Sequence, residues 1–119
     1  MMTIRQYYLL KLMEECAEVS QIASKQMQFG ADSTNVGLLQ FTNRERLRGE
    51  INDLLAVIDK LVQIEEISDI SDEELFAAKH EKQLKMEHWL QRSQKLGGVM
   101  SPKVLSCGCD VGACLCNGR

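Results

Sequence analysis

Proline, aromatic residues and long apolar runs are scarce in this sequence, and each scarcity excludes a class of protein. One proline in 119 residues is far from a collagen-like or proline-rich disordered composition. Aromatic residues make up only 5% of the chain, so we expect an aliphatic core. No apolar run is long enough for a membrane-spanning helix, and the opening MMTIRQYYLL lacks the pattern of a secretory signal. We therefore expect one small globular domain in the cytoplasm, with no membrane partner.

Acidic residues outnumber basic residues, at 17 against 14. The formal net charge is -3, which is opposite in sign to the surfaces that bind DNA or RNA. We therefore expect no nucleic acid polymer among the partners.

Cysteine is unevenly distributed along the chain. Cys16 is alone in the first predicted helix, and the other four share the last thirteen residues: Cys107, Cys109, Cys114 and Cys116. A small secreted disulfide scaffold spreads its cysteines through the whole fold. The tail reads C-x-C-x4-C-x-C, which is tighter than the usual C-x2-C of a zinc site. Zn²⁺ binding, reactive or paired thiols, and a disordered appendage all remain open for the tail, whereas Cys16 is expected in the core.

Three segments carry apolar residues at the three-and-four spacing of an amphipathic helix. They are residues 3–28, about 43–67 and about 72–96. Strand-like alternation is absent, so we predict an all-α domain over residues 1–98 and a cysteine-rich tail over residues 99–119.

Local signals mark where these helices begin and end. Gly30 suits the end of the first helix. Thr42 with Glu45, and Ser71 with Glu74, have the spacing of capping boxes at the starts of the second and third helices. The third helix has a thin apolar face that cannot cover the other two. We therefore expect a helical hairpin plus a third helix, assembling as a homodimer or homotetramer with a four-helix-bundle core.

Acidic residues cluster on the buried edge of both helices of the predicted hairpin. Glu15 and Glu18 lie one turn apart in the first helix, and Glu14 pairs with Glu18 at four-residue spacing. Glu50 and Asp53 repeat this pattern in the second helix. Packing of the two apolar faces would bring these carboxylates together, where like charges need a counter-ion.

A divalent cation is the simplest counter-ion, because no lysine or arginine lies between the acids. An all-oxygen site suits Mg²⁺ or Mn²⁺. A di-iron site is disfavoured, because His80 and His88 lack the Glu-x-x-His spacing. Gly49, a glycine inside a helix, would allow close approach of a ligand or backbone beside Glu50. A solvated acidic face is the alternative.

These motifs resemble those of the MazG-like family of all-α nucleoside triphosphate pyrophosphohydrolases, specifically a subgroup of phages and bacteria. The family is marked by EExxE on one helix and ExxD on the next, which correspond here to EECAE at residues 14–18 and EIND at residues 50–53. The resemblance covers about residues 9–98, and the cysteine tail is not part of it. It implies Mg²⁺-dependent cleavage of a nucleoside triphosphate to monophosphate and pyrophosphate by a dimer or tetramer.

The resemblance also implies roles for particular residues. The metal ligands are Glu15, Glu18, Glu50 and Asp53, and Glu14 serves a second ion or positions the attacking water. Positive partners for the phosphates are expected from Lys25, Arg46, Lys60, Lys79 and Lys82. Contacts to the base could come from Phe29, Asn35, Phe41 and Trp89, for which loop burial or simple packing is the alternative.

Two alternatives stay open at the level of sequence. The chain could be a non-catalytic helical dimer whose acidic patch binds a protein partner. It could also be a narrow enzyme for dUTP, dCTP or a phosphoribosyl nucleotide.

Overall fold

The computed structural model describes residues 1–34 and 41–100. This part of the chain forms three α-helices: α1 (Ile4–Phe29), α2 (Asn43–Gln63) and α3 (Asp72–Lys95). Its residues form no strand, and an isolated antiparallel bridge joins Thr34 to Thr42. None of the three helices is long and apolar enough to cross a membrane. The predicted all-α class is therefore confirmed for the described residues.

The helix boundaries follow the local sequence signals closely. The Thr42 hydroxyl accepts a hydrogen bond from the Glu45 N–H (3.2 Å), and the Glu45 carboxylate accepts one from the Thr42 N–H (3.3 Å). At α3 the Ser71 hydroxyl accepts from the Glu74 N–H (3.1 Å). Gly30 ends α1 with a φ of 93°, a conformation that glycine adopts without steric cost.

The end of α2 differs from the prediction, because the helix stops at Gln63 rather than near residue 67. Glu65 has a φ of 61°, and a left-handed residue cannot continue a right-handed helix. The Glu66 N–H then donates to the Leu61 carbonyl (2.9 Å). The turn places the Glu66 carboxylate 2.6 Å from the Arg5 guanidinium.

Residues 1–69 form one compact unit, in which α1 and α2 pack as an antiparallel pair. The start of α1 meets the end of α2 through Arg5 and Glu66, and the end of α1 meets the start of α2 where the Asn43 amide donates to the Gly30 carbonyl (3.0 Å). Ile22 and Leu61 are the buried apolar side chains among the described residues. This core is small for a domain of its own.

A second apolar stripe on α1 remains exposed. It recurs at heptad-like spacing and consists of Leu9, Met13, Cys16, Ala23 and Met27. The prediction of a buried Cys16 is therefore wrong, because this residue lies outside the stripe that faces α2 and is exposed. Leu55 on α2 is exposed as well.

The second compact unit begins at Ile70 and is described as far as residue 100. No residue of α3 is buried. Its exposed apolar side chains include Leu75, Phe76, Met86 and Trp89. Gly97, with a φ of 77°, follows the end of the helix. The cysteines of the tail lie outside the described residues.

Candidate metal site

Three carboxylates from α1 and α2 meet on the hairpin. Glu15 comes from the middle of α1, and Glu50 and Asp53 come from successive turns of α2. Each offers an oxygen, and these oxygens all lie within 4.8 Å of one another. The antiparallel packing therefore brings acids of the two sequence motifs together, as the helical periodicity predicts.

Glu18 lies against this cluster, whereas Glu14 has a different partner. The side chain of Glu18 is within hydrogen-bonding reach of both Glu15 and Glu50. The Glu14 carboxylate instead accepts a hydrogen bond from the Lys11 ammonium at 2.8 Å. We therefore describe Glu15, Glu18, Glu50 and Asp53 as the acid cluster, with Glu14 at its border.

Burial is the largest cause that raises the pKa of Glu15, followed by its hydrogen bond with Glu18 and by the charges of the other cluster residues. The pKa of Glu50 is raised by burial, by its hydrogen bond with Glu18 and by the charges of Glu18 and Asp53, while Arg46 opposes the rise. A hydrogen bond between two carboxyl groups requires a proton on one of them. The fully ionised cluster is thus under electrostatic strain in the absence of a cation.

Two oxygens of the cluster have no hydrogen-bond partner among the residues that the structure describes. Both the Oε2 of Glu15 and the Oε2 of Glu50 are buried and unpaired. Buried polar atoms in proteins nearly always have a partner, and a solvated acidic face would leave these oxygens to water. The arrangement fits a hard divalent cation such as Mg²⁺ or Mn²⁺, which takes oxygen ligands.

Cations lie close to the acid cluster. Lys11 lies 5.4 Å from the centre of the Tyr7 ring in addition to its contact with Glu14. The hydrogen bond and charge of Glu14 raise the pKa of Lys11, and the charges of Tyr7 and Glu15 add to this while burial opposes it. The sequence interpretation missed Lys11, although its position four residues before Glu15 places both on one face of α1.

The hairpin also carries the other cations predicted to bind the phosphates, which are Arg46, Lys60 and Lys25. Arg46 is near enough to act on Glu50 and lies 3.5 Å from the Asn43 side-chain oxygen. Lys60 lies over the Tyr8 ring, 5.4 Å from its centre. Lys25 is half-buried on α1.

For the remaining residues, contact with the substrate stays a prediction. Lys79, Lys82 and Trp89 lie on α3 in the second unit, where each is exposed. The Trp89 ring packs edge-on against His88, with 5.3 Å between the ring centres. Asn35 falls outside the described residues.

Comparison of the chain with protein-family models, with curated proteins and with solved structures finds no match. The family resemblance therefore stays a prediction, and it is the geometry of the acid cluster that bears on function.

Proposed function

We propose that this protein is a Mg²⁺-dependent nucleoside triphosphate pyrophosphohydrolase, acting in the cytoplasm as a homodimer or homotetramer. The proposal comes from the resemblance of the two acidic motifs to the MazG-like family. One observation supports it above the others: carboxylates of both motifs meet, and two of their oxygens are buried without partners.

The acid cluster suits the proposed chemistry. Glu15, Glu50 and Asp53 would hold the ion, with Glu18 beside them. Mg²⁺ held by these carboxylates would neutralise charge on the triphosphate and polarise its phosphorus. The water oxygen bonds to the α phosphorus, the bond from that phosphorus to the α–β bridging oxygen breaks, and pyrophosphate leaves. A carboxylate accepts the proton of the water, and we assign the orientation of this water to Glu14, which Lys11 holds at 2.8 Å.

The assembly is part of the proposal because the hairpin leaves much apolar surface uncovered. The exposed stripe of α1, with Met13 68% exposed, lies on a different face from the acid cluster. A second hairpin packed there would complete a four-helix core. The acid cluster would remain open to substrate on its own edge of the bundle.

Product analysis tests the reaction directly. Purified protein is incubated with a panel of NTPs and dNTPs and Mg²⁺, and the products are separated by anion exchange. We expect monophosphate and pyrophosphate from the wild type and from Glu87→Gln, a matched exposed glutamate on α3. Glu50→Gln should give none. Diphosphate with free phosphate would contradict the site of cleavage.

Two further outcomes would favour an alternative function. Strong turnover of a single nucleotide would favour the narrow enzyme for dUTP, dCTP or a phosphoribosyl nucleotide. Absence of turnover together with absence of any Mg²⁺-dependent thermal shift would favour the helical dimer whose acidic patch binds a protein.

A further inference from the structure

Basic residues of the hairpin fall into two groups that differ in burial. The exposed group consists of Arg5, Arg44 and Arg48. The half-buried group, which we call the flanking cations, consists of Lys11, Lys25, Arg46 and Lys60. Lysine and arginine are mostly exposed in proteins, so half-burial of this whole group in so small a unit needs a physical reason.

The flanking cations are spaced regularly about the acid cluster. On α1, Lys11 comes seven residues before Glu18, and Lys25 comes seven residues after it. The two flanking cations of α2 stand in the same way seven residues before and seven residues after Asp53. Seven residues are close to two turns of an α-helix, so each helix presents a cation, a carboxylate and a second cation along one face.

The antiparallel packing of the hairpin places these cations in pairs. Lys11 and Lys60 share the end of the hairpin at which α1 begins. Lys11 lies over the Tyr7 ring and Lys60 over the Tyr8 ring, each 5.4 Å from the ring centre, and the two ring centres are 5.3 Å apart. One pair of flanking cations is therefore held on a pair of adjacent tyrosines.

Lys25 and Arg46 share the opposite end of the hairpin. The Arg46 guanidinium lies 3.5 Å from the Asn43 side-chain oxygen, and the Asn43 amide donates to the carbonyl of Gly30, just beyond Lys25 at the end of α1. The two pairs are fourteen residues apart along each helix, or about 21 Å at 1.5 Å per residue. The acid cluster lies between them, so this face carries cations on both sides of the candidate metal site.

Three of the flanking cations, Lys25, Arg46 and Lys60, form no ion pair with a carboxylate in the described part of the chain. Exposed Arg5 and Arg44, in contrast, each contact a carboxylate. If the flanking cations served only to neutralise the acid cluster, ion pairs with its carboxylates would be expected. Their positive charges are instead available to an anionic ligand on both sides of the cluster.

A plain nucleoside triphosphate provides anionic groups on only one side of the cleaved bond. With its α phosphorus at the acid cluster, the β and γ phosphates would reach one pair of flanking cations, and the other pair would lie beside the neutral nucleoside. We propose that the preferred substrate is a nucleoside triphosphate that carries a further phosphate on its ribose. The inference rests on the proposed function and names the substrate class for it.

The reach of the flanking cations favours the ribose over the base as the carrier of this phosphate. Each flanking cation lies four to seven residues from the nearest acid-cluster residue of its own helix, or about 6 to 10 Å along the axis. A phosphate on a ribose hydroxyl stays close to the α phosphorus, whereas one on the far edge of the base would lie well beyond it.

Three triphosphates of the same base test the substrate class: the plain compound, its 2′-phosphate and its 3′-phosphate. We expect one of the two phosphorylated compounds to have a kcat/KM about tenfold or more above that of the plain compound, because bonds between charged partners are the strong ones. The products should be pyrophosphate and a monophosphate that keeps its ribose phosphate. The two isomers show which hydroxyl carries the recognised group.

Substitution of one lysine at each end identifies the pair that binds the ribose phosphate. Lys25→Met and Lys60→Met keep an apolar stem and remove the charge. We expect one of them to bring the ratio of kcat/KM between phosphorylated and plain substrate close to unity. The other should lower kcat/KM for both substrates and keep the ratio, because it removes a contact to the β and γ phosphates. Arg48→Met, at an exposed position of α2, should change neither quantity.

Melting temperatures separate loss of recognition from damage to the fold. Lys25 and Lys60 form no ion pair in the described structure, so both methionine variants should melt close to the wild-type temperature and keep a Mg²⁺-dependent thermal shift. Lys25→Gln and Lys60→Gln provide second variants if methionine does not fold.

Several results would overturn the inference. A kcat/KM for both phosphorylated compounds no higher than that of the plain compound would remove the substrate class and leave the pyrophosphohydrolase in place. A preference that survives both lysine substitutions would show that the ribose phosphate does not bind the flanking cations. Lower melting temperatures with an unchanged ratio would show that these lysines only stabilise the fold. Absence of turnover of all three compounds and of the wider nucleotide panel would remove the proposed function itself.

Discussion

Glu15 on α1 and Glu50 on α2 present carboxylate oxygens within 4.8 Å of each other, and each has its Oε2 buried without a hydrogen-bond partner in the described part of the chain. The two residues are thirty-five positions apart in the chain and meet only because the helices pack antiparallel. Such a pair is unfavourable until a proton or a cation is shared between the two groups. Its presence in a hairpin with so small a core indicates a role other than stability.

Mg²⁺ or Mn²⁺ should stabilise the protein. A ligand that binds only the folded state at 100 times its Kd adds about 2.7 kcal/mol to the free energy of unfolding, which raises the melting temperature of a small domain by on the order of 10 °C. Differential scanning fluorimetry with and without millimolar Mg²⁺ measures this. Glu50→Gln should lose the response and Glu87→Gln should keep it.

The same experiment in EDTA distinguishes metal loss from damage to the fold. Glu50→Gln removes one of several clustered like charges, so without metal it should melt no lower than the wild type. A variant that melts much lower in EDTA would show that Glu50 is needed for folding rather than for the ion.

Without metal, stability should fall as the pH rises from acidic toward neutral. The pKa values of Glu15 and Glu50 are raised above their usual value of 4.5, chiefly by burial. Above pH 4.5 the folded state therefore binds more protons than the unfolded state, and the free energy of unfolding declines with pH until the raised folded values are passed. Urea denaturation in EDTA across this range measures the slope, with the Glu15→Gln, Glu50→Gln double variant as reference.

Saturating Mg²⁺ should reverse this dependence, because the ion competes with protons for the same oxygens. Stability of the wild type in Mg²⁺ should then rise with pH over the same range. Identical slopes for the wild type and the double variant in EDTA would mean that these carboxyl groups do not titrate abnormally.

Lys11 should matter for catalysis more than an equivalent lysine elsewhere. Lys85 provides the match, since its ammonium lies 3.0 Å from Glu81 on an exposed helix, much as Lys11 lies 2.8 Å from Glu14. Exposed pairs of this kind contribute less than about 1 kcal/mol to stability, so Lys11→Met and Lys85→Met should melt alike. We expect kcat/KM to fall by about tenfold or more only in Lys11→Met, because Lys11 is beside Glu14 and the acid cluster. Equal activity of the two variants would exclude this role.

Local sequence patterns were enough to predict the helices and part of the candidate site. Thr42 and Glu45 begin α2 because a capping box is a property of four neighbouring residues. The meeting of Glu15 with Glu50 follows from helical periodicity once the two apolar faces are packed together.

Properties that depend on neighbours from other segments were not predictable in this way. Cys16 has an apolar side chain, but nothing in α1 alone shows which of its two apolar stripes faces α2. The Gln26 side-chain oxygen is unpaired because neither α2 nor the described turn at Gly30 provides a hydrogen-bond donor to it. The early end of α2 depends on a left-handed Glu65, which no local motif signals.

Gly49 offers a test of whether something approaches α2 beside the acid cluster. A methyl group on the Gly49 Cα would meet no described residue within 4 Å, so the expected close approach does not come from the described part of the chain. Gly49→Ala should therefore stabilise the protein by up to about 1 kcal/mol through helix propensity. Unchanged kcat/KM would show that the space is empty during turnover, whereas increased stability with reduced kcat/KM would place substrate or a second subunit there.

The exposed stripe of α1 should hold the oligomer together. Met13 lies in the middle of that stripe and is 68% exposed, so a second hairpin packed on it would bury the side chain. Met13→Lys would bury an unpaired charge in that interface, and sedimentation or light scattering should show a shift to monomer at micromolar concentration. Gln21→Lys, at an exposed position outside the stripe, should stay oligomeric. Because Ile22 and Leu61 are the buried apolar side chains among the described residues of the hairpin, the dissociated Met13→Lys monomer should also lose helical circular dichroism. A monomeric wild type with full helical signal would show that the hairpin needs no partner, and the acid cluster would then have to work in a single chain.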